Sequence, residues 1–76
     1  MGWNYRVIMK QYKEEKDYTI HEVYYDEEGN IKQYSKNPTY PYGYSLDDLK
    51  KDYELYGKAF EKPILCFDKK GKLVEL

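Results

Sequence analysis

The side chains that offer chemistry in this chain are few: one histidine, one cysteine and a group of closely spaced carboxylates. His21 and Glu22 begin like the zinc-protease signature, which needs a second histidine one helical turn further on, yet position 25 is Tyr25 and no other histidine exists. The pair also falls in a stretch of period-2 pattern, where Glu22 points to the opposite face, so His21 would have to work with carboxylates alone. The expectation is a strand histidine paired with a tyrosine or a carboxylate. Cys66 lies in the apolar tetrad Ile64 to Phe67 and reads as a small buried hydrophobe. As the sole cysteine it rules out an intramolecular disulfide and a multi-cysteine zinc site. Asp47, Asp48 and Asp52 fall within two turns of one helix, with Asp48 and Asp52 on one side. A hard cation needs several converging oxygens, whereas acidic residues in a first turn match the helix dipole, so a solvated face is expected. Asp26 to Asn30 resembles a calcium loop only in composition, and no phosphate loop, nucleophile elbow or Cys/His cluster is present. No catalytic residue, metal or cofactor is expected, and the chain reads as a non-enzyme.

Tyrosine density remains. There are 11 tyrosines among 76 residues, and Tyr34, Tyr40, Tyr42 and Tyr44 are carried by a segment stiffened by Pro38 and Pro41. Tyrosine covers large area at low conformational cost and keeps a hydrogen-bonding tip, which suits it to interfaces. These four are the expected binding residues, for a protein partner or for a second copy in a homodimer. The competing expectation is that they close over the sheet face the helix does not reach. An alternative places single-stranded nucleic acid on the sheet, with Tyr5, Tyr18, Tyr24 and Tyr25 stacking bases near His21, and Lys10, Lys32 and Lys36 meeting phosphates. The 13 basic residues are outweighed by 14 acidic ones for a net charge of -1, and Arg6 is the only arginine, which argues against that alternative. An enzyme built on His21, Glu22 and Tyr24 ranks last.

The elements that must position these residues follow from the pattern. Trp3, Tyr5, Val7 and Met9 alternate with Asn4, Arg6 and Lys10 as a strand, and Tyr18 to Tyr25 forms another, apolar on both faces and so central in a sheet. Lys13 to Asp17 is a charged, solvated turn between them. Asp26 to Asn30 supplies a turn whose glycine takes positive φ, and Ile31 to Ser35 returns from it. Phe67 to Leu73 repeats the same order of residue types as Tyr25 to Ile31, which predicts a second hairpin with arms Ile64 to Phe67 and Leu73 to Leu76. Ser35 to Tyr44 reads as an extended connection. Ser45 caps a helix in which Leu46, Leu49, Tyr53, Tyr56 and Phe60 step by 3, 4, 3 and 4, a stripe expected to face the sheet. Gly57 in that helix suggests a close contact with the sheet, and Lys62 and Pro63 end it. The result is one α+β domain over 1–76: an antiparallel sheet ordered β-β-β-α-β, with a fifth C-terminal strand and one helix packed on one face.

The longest apolar run is four residues, no secretory leader is visible, and a cytoplasmic protein with no membrane contact is expected. Trp3 to Ile8, His21 to Gly29, Asn37 Pro38 and Lys62 to Leu65 resemble, in that order, a group of small bacterial proteins without assigned activity; the resemblance implies a bacterial or phage origin. The chain departs from that pattern in Tyr40, Tyr42 and Tyr44 and in the tail from Asp68. More loosely, the element order is similar to antitoxin domains of the HicB type, a fold analogy that carries no function by itself; the aromatic surplus without a catalytic constellation is what leads to the expectation of a homodimer or a partner-binding protein of antitoxin or inhibitor type. An open sheet face beneath a single helix, together with the Tyr34 to Tyr44 segment, is the expected docking surface.

Overall fold

The computed structural model describes residues 2–76. Five strands and one helix follow one another as β1 (Trp3–Tyr12), β2 (Glu15–Tyr25), β3 (Ile31–Tyr34), α1 (Leu46–Gly57), β4 (Leu65–Phe67) and β5 (Leu73–Glu75), with a 3-10 turn over Lys58–Glu61 extending α1. The sheet order is β3-β2-β1-β4-β5. β1 and β2 pair antiparallel over their whole length, from Trp3 opposite Tyr24 to Tyr12 opposite Glu15, so only Lys13 and Glu14 form the turn and the rest of the charged run is strand. β4 joins β1 in parallel, with Ile8 opposite Leu65, because α1 carries the chain back across the sheet before β4 begins. The sheet is therefore mixed, although mostly antiparallel.

The two hairpin turns are the same object. Asp26 Oδ1 accepts from the Glu28 and Asn30 amides at 2.9 Å each, and Asp68 Oδ1 accepts from the Lys70 and Lys72 amides at 2.9 Å each. Gly29 and Gly71 take φ of 86° and 81°, a region that side chains resist. The amides around Asp26, Asn30 foremost, hold its carboxyl below the usual range. At the start of α1, Ser45 Oγ accepts from the Asp48 amide at 3.1 Å, as a capping serine should.

Each face of the sheet carries its own small core. On the helix side Tyr5, Val7 and Ile20 pack with Ala59, Tyr56 and Ile64. On the other side Ile8, Val23, Leu65 and Leu73 pack with Tyr25, Ile31 and Phe67. That second core corrects the expectation of an open sheet face. A register shift between Tyr24 and Tyr25 bends β3, and the curl brings Tyr34 against Phe67 at 5.7 Å although two strands separate theirs in the sheet. The underside is thus closed in part by the sheet itself, and a recess of about 700 Å³ with Tyr25, Ile31, Lys32 and Glu75 in its lining opens between the two turns.

Candidate protein-interaction surface

Helix α1 meets the sheet through a row that is not its apolar stripe. Asp52 Oδ1 accepts the Tyr5 hydroxyl at 2.9 Å, the Tyr56 ring stands edge-on to Tyr5 at 5.3 Å, and Ala59 is fully buried against β1. Positions 52, 56 and 59 share one side of a helix, and at 100° per residue that side lies roughly 90° from the one bearing Leu46, Leu49 and Tyr53. The expected sheet-facing stripe accordingly points outward: Leu46 is 66% exposed, Tyr53 67% and Phe60 74%. Tyr56 alone of that stripe reaches the core. Gly57 makes no close contact either, since nothing stands within 4 Å of where its Cβ would be.

The tyrosine segment is held from beneath. The Thr39 amide donates to the Ile20 carbonyl at 2.9 Å, the Tyr56 hydroxyl donates to the Thr39 carbonyl at 3.1 Å, and the Tyr42 amide donates to Asp52 Oδ2 at 2.8 Å. Gly43 lies flat on the start of α1, where an added Cβ would stand 2.4 Å from the Leu49 nitrogen. Above these anchors the rings of Tyr40, Tyr42 and Tyr44 project into solvent; Tyr44 is 92% exposed and stacks edge-on with Tyr42 at 5.4 Å. Their backbone is fixed while their rings are free. Loop rings and helix stripe are neighbours in sequence, with Ser45 alone between Tyr44 and Leu46.

Beside them a cleft of about 910 Å³ separates the segment and α1 from the sheet, with Trp3, Tyr5, Glu22, Tyr40, Tyr42 and Asp52 in its walls. Trp3 stands edge-on to Tyr5 at 5.1 Å. Burial, then the Asp52 carboxylate, raises the Tyr5 hydroxyl well above its ordinary range, and hydrogen bonding to Glu22 raises Tyr24. Both carboxylates are therefore engaged by the protein's own donors. No group of three or more His, Cys, Asp or Glu side chains placed to hold a metal occurs among the described residues.

The remaining expected site residues scatter. Tyr34 belongs to the underside with Phe67. Tyr18 and Tyr24 lie on the helix side of the sheet, opposite Met9 and Trp3, while Tyr25 lies on the other side, accepting from Arg6 and donating to Asn4 Oδ1 at 2.7 Å. No single stacking platform results, and Lys32 and Lys36 flank different faces of the sheet edge. His21 is fully buried, its Nδ1 2.9 Å from the Ser35 carbonyl and its Nε2 2.7 Å from Thr19 Oγ1. Its partners are a carbonyl and a hydroxyl rather than the expected tyrosine or carboxylate. A carbonyl only accepts, so Nδ1 carries the proton and Nε2 accepts from Thr19. Arg6, unremarked in the sequence except for its solitude, is buried too and donates to the Tyr25 hydroxyl at 2.9 Å and the Pro63 carbonyl at 2.7 Å.

No protein-family model matches the chain, and neither the curated proteins nor the solved structures yielded a match. No helix among the described residues is long and apolar enough to cross a membrane.

Proposed function

We propose that this chain is a cytoplasmic, non-enzymatic protein-interaction module, and that it receives its partner on Tyr40, Tyr42 and Tyr44 together with the outer stripe of α1, Leu46, Leu49, Tyr53 and Phe60. The reading rests on one observation: the backbone of the tyrosine segment is pinned to Ile20, Asp52 and Tyr56 while its rings are left in water. A surface ordered before binding loses little conformational freedom when a partner arrives. Contiguous exposed apolar side chains cost solubility and are retained where they meet another molecule. The underside is assigned no part in this docking, because its apolar side chains, Ile8, Val23, Leu65 and Leu73, are already buried in the second core.

A photo-crosslinking residue placed at Tyr44 or at Tyr53, in living cells, tests the proposal against the same residue at Lys69 in the β4–β5 turn. Protein adducts are expected at the first two positions and not at Lys69. Equal yields at all three positions, or none, would remove the reading.

A further inference from the structure

We infer that the partner is a second copy of this chain, with the two α1 helices packed antiparallel about a two-fold axis close to Tyr53. This rests on the surface proposed above being the interaction site, and it names the occupant. The stripe is self-complementary in that arrangement. With Tyr53 facing its own counterpart, Leu46 falls opposite Phe60 of the second copy and Leu49 falls opposite Gly57. Gly57 is outward-facing with open space around it, so a facing Leu49 can approach the helix backbone closely.

Charge supplies the orientation. Along one flank of the stripe Asp47, Lys50, Glu54 and Lys58 follow each other with alternating sign at spacings of three, four and four. An antiparallel pair sets Lys50 against Glu54 of the second copy and Asp47 against Lys58, each contact occurring twice by symmetry. A parallel two-fold pair would turn this flank away from its own copy, so none of the four charges would meet its opposite. None of the four is used internally: the ion pair formed among the described residues is Arg6 with Glu75 at 3.6 Å. Antiparallel helices also place opposite dipole ends side by side. A net charge of -1 leaves little repulsion between two copies.

Sedimentation equilibrium of the full chain from about 5 to about 500 µM reads the association directly. Monomer and dimer in exchange are expected. Lys50→Glu and Glu54→Lys should each weaken the dimer about tenfold, since every substitution replaces two attractive contacts by two repulsive ones. An equimolar mixture of the two variants should regain the parent's association, because each then faces its opposite. Both positions are solvent-exposed, and an unchanged circular dichroism spectrum verifies that the variants are folded. A dimer indifferent to both substitutions, or a mixture no tighter than its components, overturns the pairing. A monomer throughout the range overturns the second copy as partner. Crosslinks from Tyr53 to a different protein would in that case leave the interaction surface standing, and their absence would take both.

Discussion

His21 should make this protein acid-sensitive between about pH 7.5 and 5.0. The ring is fully buried, and burial lowers its pKa below the ordinary 6.5; the Ser35 carbonyl and Asp17 oppose that shift, and Lys10 adds to it. The unfolded chain therefore binds a proton near pH 6.5 that the folded chain refuses. Stability is fully present above that pH, falls as pH drops below it, and stops falling once pH passes below the folded value. One proton taken up by the unfolded state alone gives a slope of about 1.4 kcal/mol per pH unit, so the loss between pH 7.5 and 5.0 is at most about 2 kcal/mol. For a domain of this size that corresponds to a melting temperature lower by about 10 °C. Asp26, held ionised by the amides of its turn, does not titrate in that interval. Urea melts at half-unit pH steps measure the slope in the parent and in His21→Gln, whose amide can still donate to Ser35. The variant should lose about 1–2 kcal/mol at pH 7.5 and lose the part of the slope that His21 contributes. A parent with flat stability from pH 7.5 to 5.0, or a variant that keeps the parent's slope, refutes the argument.

Three further outcomes follow from the contacts of α1. Gly57 has helical φ and ψ of -65° and -20° and open space at its Cβ, so Gly57→Ala should raise the stability of dilute protein by up to about 1 kcal/mol in urea melts. Gly43→Ala drives a Cβ into the Leu49 nitrogen and the Asp48 backbone and should cost about 1–3 kcal/mol by the same measurement, with retention of parental stability counting against the described close approach. Tyr5→Phe removes a buried hydroxyl from Asp52 and should cost about 1.5–3 kcal/mol, whereas Tyr44→Ala should change monomer stability by less than about 0.5 kcal/mol; equal losses would mean that Tyr44 belongs to the core.

The sequence was legible wherever the determinants were local. The turn at Asp26 and Gly29, its twin at Asp68 and Gly71, and the Ser45 cap each depend on residues at most four apart, and the residue types alone declare them. The first two strands and the helix were readable from periodicity, and the other three strands from the turns they flank, for the same reason. What could not be read depends on partners distant in the chain. The rotation of α1 is set by Asp52 meeting Tyr5, 47 residues away, and a carboxylate in a sheet-facing row defeats any rule that looks for the apolar one. The parallel pairing of β4 with β1 and the closure of the underside, where β3 meets β4, arise from the crossover and the curl. Arg6 carried a faint signal, being the only arginine, and its planar fork suits the buried place it takes, with Nη1 donating to the Tyr25 hydroxyl and Nη2 to the Pro63 carbonyl. For the tyrosine segment the sequence left open whether the rings close over the sheet; Tyr34 does so against Phe67, whereas the anchors at Thr39, Tyr42 and Gly43 leave the rings of Tyr40, Tyr42 and Tyr44 in solvent.

If the proposed partner binds, the same arrangement ties stability to association. Two cores with four buried residues each, on opposite faces of one sheet and without a disulfide, give a chain of 76 residues modest resources for standing alone. Turning the helix so that Asp52, Tyr56 and Ala59 face inward leaves its largest apolar side chains in water. That choice gives up burial that the monomer could have used, and it is compensated only if Leu46, Leu49, Tyr53 and Phe60 are covered by another molecule. A partner that binds the folded chain and not the unfolded one then adds its binding free energy to the fold. If the partner is a second copy, the melting temperature must climb with protein concentration, and it must do so less in Lys50→Glu than in the parent. On that condition the helix orientation, which is fixed by Tyr5 and Asp52 in the interior, exports part of the fold's stability to its outer surface.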